Sequence, residues 1–164
     1  MLSDGGWSGS SGSAAFFHPP SDPVKILLLK PSSLGDVVHA TLDAPQRWGY
    51  VFDKLAAAAS FTYQNTAVCF FGHTHVPVAF MRDSVVRGGT YSKFKVEAGK
   101  KYFVNVGAVG QPRDNNPKAA YVVYDVYEGT IEIRRLEYDI AAAQKKILAA
   151  GLPERLAERL AYGR

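Results

Sequence analysis

From residue 76 to residue 138 the apolar residues recur with a period of two, and this pattern limits the fold more than any other feature of the chain. Five segments carry it: Val78 to Arg82, Tyr91 to Val96, Lys101 to Val106, Ala120 to Tyr127 and Thr130 to Tyr138, separated by Gly, Pro, Asp or Asn. Alternation of that kind sends successive side chains to opposite faces of a strand. Five such strands in succession predict a mostly antiparallel sheet after residue 76. The clearest hairpin flanks Glu128-Gly129, where Val122, Tyr124 and Val126 share a face with Ile131 and Ile133. Asp139 then offers an N-cap for a helix reaching about Ala150, Gly151 supplies its C-cap, and Pro153 opens a short second helix carrying Leu156 and Leu160.

Upstream the pattern is mixed. Val24 to Leu29 and Ala67 to Phe71 are short apolar runs that read as buried strands, and Trp48 to Ala59 is helix-compatible, with its exit at Phe61 to Gln64. The fold class expected is therefore α/β with an α+β tendency. Residues 1–23, rich in Gly, Ser and Pro, read as a flexible leader, and residues 24–164 as a single domain. A chain of 164 residues is too short for two Rossmann lobes of roughly 100–200 residues each.

Composition narrows the function classes. With 47% hydrophobic and 12% aromatic residues, the chain can bury a core and is not of a disordered type. Its one cysteine, Cys69, excludes both an internal disulfide framework and a cysteine-rich zinc site, and reads as a small buried hydrophobe. No apolar run of about 18 residues is present, and the N-terminus lacks the basic and apolar regions of a secretion signal, so a cytoplasmic location without membrane attachment is expected. The net charge of +4 is modest, and the terminal charges recur at helical spacing, so a solvated helix face is expected rather than a nucleic-acid surface.

Of the four histidines, His73 and His75 stand two apart in Gly72-His73-Thr74-His75, directly after a buried strand. A strand end delivers side chains to the rim of a sheet, and neutral imidazoles placed there can ligate a divalent ion. Ordinary loop histidines would satisfy the same pattern. Trp48 and Tyr50 read as core aromatics, Asn105 to Gly110 as a tight strand-to-turn passage, and Arg113 either as a contact to an anion or as a partner of Asp114.

The surroundings of these residues resemble the calcineurin-like metallophosphoesterases. Gly72-His73-Thr74-His75 matches their Gly-His-x-His motif, and Val104 to Asp114 is similar to the Asn-x-Gly-Ser-x-Gly-Gln-Pro-Arg-Asp signature of the bacterial phosphodiesterase branch, with Ala108 where serine is usual. His39-Ala40-Thr41-Leu42-Asp43-Ala44-Pro45 is similar to the histidine segment upstream, so that the resemblance covers residues 39–164. It implies a truncated metallophosphoesterase-like β-sandwich with flanking helices. It also implies a divalent metal ion (Mn, Zn or Fe) held by His39, His73 and His75, and a phosphorylated small molecule or phosphodiester as substrate, with Asn105 and Arg113 as candidates to touch it. The family's N-terminal Asp-x-His, Gly-Asp-x-x-Asp and Gly-Asn-His-Asp/Glu motifs do not occur in this sequence. Asp36 and Asp43 are the candidate replacement ligands.

A second resemblance covers the front. Val24 to Ala40, containing Lys30-Pro31-Ser32-Ser33-Leu34-Gly35-Asp36, is similar to the start of the ADP-heptose lipopolysaccharide heptosyltransferases, so residues 24–38 read as a glycosyltransferase-like strand and loop joined to a phosphoesterase. Such a chimera would act as a hydrolase if active; the alternatives are a non-catalytic metal-binding or assembly module and a sugar-nucleotide transferase fragment. A shortened sandwich would bare a sheet edge or apolar face, so a homo-oligomer is expected.

Overall fold

The computed structural model describes residues 25–28 and 40–164. The leader at residues 1–23, the Ser-rich loop, Asp36 and His39 lie outside the described residues. In chain order the elements are β1 (Lys25–Leu28), a 3-10 turn (Pro45–Arg47), α1 (Lys54–Tyr63), β2 (Val68–Phe71), β3 (Ala79–Arg82), β4 (Val86–Gly89), β5 (Lys93–Lys95), β6 (Lys101–Asn105), β7 (Ala119–Asp125), β8 (Thr130–Leu136), α2 (Ile140–Ala149), α3 (Glu154–Glu158) and a closing 3-10 turn (Arg159–Tyr162).

The strands form two four-stranded sheets, ordered β1-β7-β8-β5 and β2-β6-β3-β4. The first is antiparallel throughout; in the second only β2 and β6 run parallel. The fold is mixed α/β, mostly antiparallel after residue 76. The five alternating segments do not make one sheet, however, but are dealt between two. β4 is an addition that alternation does not announce, because Gly88 and Gly89 blank its pattern. Gly88 is required by close approach: a Cβ there would lie 2.3 Å from the Phe80 ring on β3. Asp83 closes the β3–β4 turn by accepting the Val85 N–H at 3.0 Å.

The β7–β8 hairpin follows its sequence pattern. Val122 faces Ile133 and Tyr124 faces Ile131 across it, and Val122 and Ile131 are fully buried. The turn begins earlier than Glu128-Gly129, because the Asp125 carboxylate accepts the N–H groups of Tyr127 and Glu128 at 3.1 and 3.0 Å. Val126 therefore leaves the strand and is exposed. β1 lies antiparallel beside β7, not as the first strand of a parallel lobe.

Alternation along β6 builds two cores. Tyr102 and Val104 point between the sheets, where they meet Val122 and Ile131. Phe103 points the other way and joins Phe71, Phe80 and, from α1, Ala57 and Phe61. The Phe71 and Phe103 rings stack with centroids 4.1 Å apart. Complete burial of side chains such as Phe61 and Phe103 contributes about 1.5–3 kcal/mol each. The result is a helix layer on one sheet and that sheet on the other.

α1 starts at Lys54 rather than near Trp48, since the Asp53 carboxylate caps it by accepting the Ala56 N–H at 2.9 Å. It continues through Tyr63, because Ser60 and Phe61 are needed in the core. Asp139 caps α2 as its sequence position predicts, accepting the Ala142 N–H at 2.8 Å, and Gly151 follows that helix at φ 69°. α2 and α3 join through the Gln144 amide, which donates to the Ala157 carbonyl at 3.0 Å. The pair is moored where the Asn115 N–H donates to the Gly163 carbonyl at 3.0 Å. No helix among the described residues is long and apolar enough to cross a membrane.

Candidate functional site

Parallel strands direct their carboxyl ends to the same rim, and the loops that follow them are where open sheets receive ligands. Here β2 and β6 are the parallel pair. Gly72-His73-Thr74-His75 follows the first and Val106 to Arg113 the second, so one rim gathers the histidines and the Gln-Pro-Arg-Asp segment.

The histidine loop is tight. The Thr74 N–H donates to the Gly72 carbonyl at 2.8 Å, closing a three-residue turn around His73, whose φ is 66°. His75 also has a positive φ, 62°. A non-glycine residue held in that region costs of order 1–3 kcal/mol, and such strain persists only where the surroundings enforce it. Both imidazoles remain partly exposed.

Each ring has a defined neighbour. His75 Nδ1 lies 2.8 Å from the Gln111 carbonyl oxygen. A carbonyl only accepts, so Nδ1 carries the proton and, in the neutral ring, Nε2 carries the lone pair. The Arg113 N–H returns a bond to the His75 carbonyl at 3.2 Å. The His73 ring lies against Tyr50, with centroids 4.2 Å apart, and edge-on to Trp48 at 6.0 Å. Trp48 and Tyr50 are thus not core residues: they are 56% and 52% exposed. Because α1 starts only at Lys54, residues 48–53 run irregularly along the rim, and Val51 alone of this stretch enters the core. Phe52 extends the column by stacking on Tyr50 at 5.4 Å.

Asn105, a candidate for substrate contact, is fully buried. Its Nδ2 donates to the Gly72 carbonyl and to Thr74 Oγ1, both at 2.9 Å, and its Oδ1 accepts the Gly107 N–H at 2.9 Å. Arg113 is exposed, and its guanidinium donates to the Gln111 side-chain oxygen at 2.8 Å. It does not pair with Asp114, whose carboxylate holds Arg135 in a two-point ion pair. Partial burial, and then the like charges of Arg113 and Arg155, hold the Arg159 guanidinium below its usual range. Arg113 is thus close enough to Arg159 for their like charges to interact.

The donor chemistry suits a divalent ion in part. Fixing Nδ1 on a carbonyl is the usual way of orienting a ligating imidazole, and it presents Nε2 as the donor. Yet among the described residues no group of three or more His, Cys, Asp or Glu gathers to hold a metal, so Asp43, which is exposed, does not join His73 and His75. Two imidazoles are what these residues offer. The supports that sequence reading missed are Thr74, which is buried, and the Gln111 backbone carbonyl. A small polar residue between two histidines was a signal for the first; a carbonyl leaves none.

The family model of the calcineurin-like phosphoesterase superfamily domain matches residues 32–129. An uncharacterized protein of Methanocaldococcus jannaschii is 39% identical over 128 residues, a match covering 77% of this chain and 50% of that protein. The crystal structure of a metallophosphoesterase from Sphaerobacter thermophilus superposes with a TM-score of 0.67 at 36% identity, covering 77% of this chain and 54% of that one. The chain thus spans about half the length of these relatives.

Proposed function

The chain belongs to the calcineurin-like phosphoesterase superfamily, and from that membership we propose that it supplies the histidine-bearing rim of a metal-dependent phosphoesterase that hydrolyses a phosphate mono- or diester. The observation that carries this reading is the strained Gly72–His75 turn, which presents His73 and an oriented His75 beside the segment that carries Arg113. A bound divalent ion (Mn, Zn or Fe) would polarise the phosphoryl oxygens and activate water for in-line attack. His73 and His75 would donate nitrogen to it, with His39 as a further ligand and Asp36 as a replacement for a carboxylate ligand. Arg113 would attract the anionic substrate.

A second reading, a metal-binding or assembly module without turnover, draws on the two-imidazole donor set of the described residues. In that reading residues 24–38 are a glycosyltransferase-like strand and loop joined to the phosphoesterase, and self-association covers a bared sheet edge or apolar face. One experiment separates the two. Metal content of the purified protein is measured, then hydrolysis of an aryl phosphate and an aryl phosphodiester with and without Mn. Turnover that is lost in His73→Ala supports hydrolysis; stoichiometric metal without turnover supports the metal-binding module, and the absence of metal and turnover alike removes hydrolysis and metal binding and leaves only a structural role.

A further inference from the structure

We propose that Asn105 is the positioning residue of the histidine rim: its carboxamide locks the turn that carries His73 to the loop that orients His75. This deepens the reading above and rests on it for its functional meaning, but the clamp itself is a claim about this chain's own geometry.

The orientation of the amide follows from its partners. Gly107 N–H is a donor and requires Oδ1; the Gly72 carbonyl is an acceptor and requires Nδ2. All three bonds are internal, and together they bridge the segments that leave the parallel strands β2 and β6. Nδ2 holds the first and last heavy-atom anchors of the three-residue turn, the Gly72 carbonyl and Thr74 Oγ1, while Thr74 Oγ1 also accepts the Val76 N–H at 3.3 Å. Oδ1 holds Gly107, four residues before the Gln111 carbonyl on which His75 is fixed. The Asn105 backbone is itself fastened from the far side, since its carbonyl accepts the Tyr91 hydroxyl at 2.8 Å. Buried groups in such a network resist rearrangement because each lost bond leaves a desolvated polar atom. The left-handed φ of His73 therefore has a cause in place. An ordinary loop turn would relax without the amide, and with it the spacing of the two rings.

The test uses the full chain and two substitutions. Asn105→Asp keeps the shape and removes both donations. Thr74→Val removes one of their acceptors at nearly constant volume and serves where a buried carboxylate prevents folding; Thr74→Ser restores the acceptor. The first readout needs no metal: amide hydrogen exchange at position 74, and two-bond proton–nitrogen spectra of the imidazoles, which report the ring tautomer. The clamp predicts exchange at position 74 at least ~10-fold faster in Thr74→Val and a mixed tautomer for His75, with exchange of Val104 in β6 unchanged and both effects reversed in Thr74→Ser. The second readout is titration with Zn²⁺ alone, where the same variants weaken binding by about 10-fold or more. Unchanged exchange and unchanged imidazole spectra in a folded variant overturn the clamp. A wild-type chain that takes up no Zn²⁺ counts against the phosphoesterase reading, while the exchange and tautomer arms still decide the clamp.

Discussion

Gly163 and Asn116 are in backbone contact: a Cβ on Gly163 would fall 2.6 Å from the Asn116 carbonyl carbon. Gly163 also has φ 65°, and its carbonyl receives the Asn115 N–H. This close approach, the Asn115–Gly163 bond and the Arg164 guanidinium donating to Asn115 Oδ1 at 3.3 Å moor the C-terminal helices to the loop that follows Arg113. Gly163→Ala combines a forbidden contact with a disfavoured backbone, and a loss of about 2 kcal/mol or more is expected. In hydrogen exchange the amides of α2 and α3 should lose protection while those of β6 and β7 keep it. Equal protection in both groups would show that the helices are held by something else.

Asp114 and Arg135 form a partly buried ion pair joining the rim loop to β8, and Arg135 also donates to the Lys118 carbonyl at 3.3 Å. Removing either partner strands the other in a half-desolvated position. Asp114→Asn and Arg135→Met should each lower stability by roughly 1–3 kcal/mol in urea unfolding. The double variant should cost less than the two single losses added together, and strict additivity would refute the coupling.

Burial pushes the Cys69 thiol up from its ordinary 9.0 to about 11. A raised value means that the folded state holds the proton more tightly than the unfolded chain does. Its contribution is therefore complete below about pH 9 and is lost as pH rises from there through the folded value near 11. Burial raises the Tyr91 phenol as well, which steepens the decline above about pH 10. Urea midpoints measured from about pH 8 to 10.5 should fall, and Cys69→Ala should flatten the first part of that slope. Alkylation of the thiol at about pH 9 should be slow until denaturant is added.

Asp53 and Asp139 make the same capping bond to helices of equal length but unequal importance. Replacing either by Ala costs about 1 kcal/mol locally. α1 buries Ala57, Ser60 and Phe61, whereas α2 has no fully buried residue. Asp53→Ala should therefore lower the global unfolding midpoint, and Asp139→Ala should appear mainly as local fraying by exchange. The reverse ranking would contradict the assignment of α1 to the core.

These contrasts mark what the sequence could and could not convey. Period-two alternation located the β7–β8 hairpin and its shared buried face but not its register, because the Asp125 carboxylate starts the turn before Glu128-Gly129 and pairs Val122 with Ile133 and Tyr124 with Ile131. The same rule cannot say which sheet a strand joins, since that depends on partners distant in sequence, and it loses a strand whose pattern is blanked by Gly88 and Gly89. Cap residues fixed the start of α2 at Asp139, yet Trp48 to Tyr50 looked helical because propensity outweighed the stop that Asp53 imposes. At the site, the histidine spacing was legible and the left-handed turn was not. That turn is enforced by Asn105, 33 residues from Gly72, and nothing local signals it.

The parallel pairing of β2 with β6 has a consequence for the order of events in folding. The strands are separated by the whole excursion through β3, β4 and β5, so their contact closes a long loop, which must form before any bond between Asn105 and Gly72 can be made. The neighbouring hairpins need no such search. Loop-closure entropy thus predicts that the rim carrying the histidines closes after the β3–β4 and β7–β8 hairpins, so that its geometry depends on distant parts of the chain having met first.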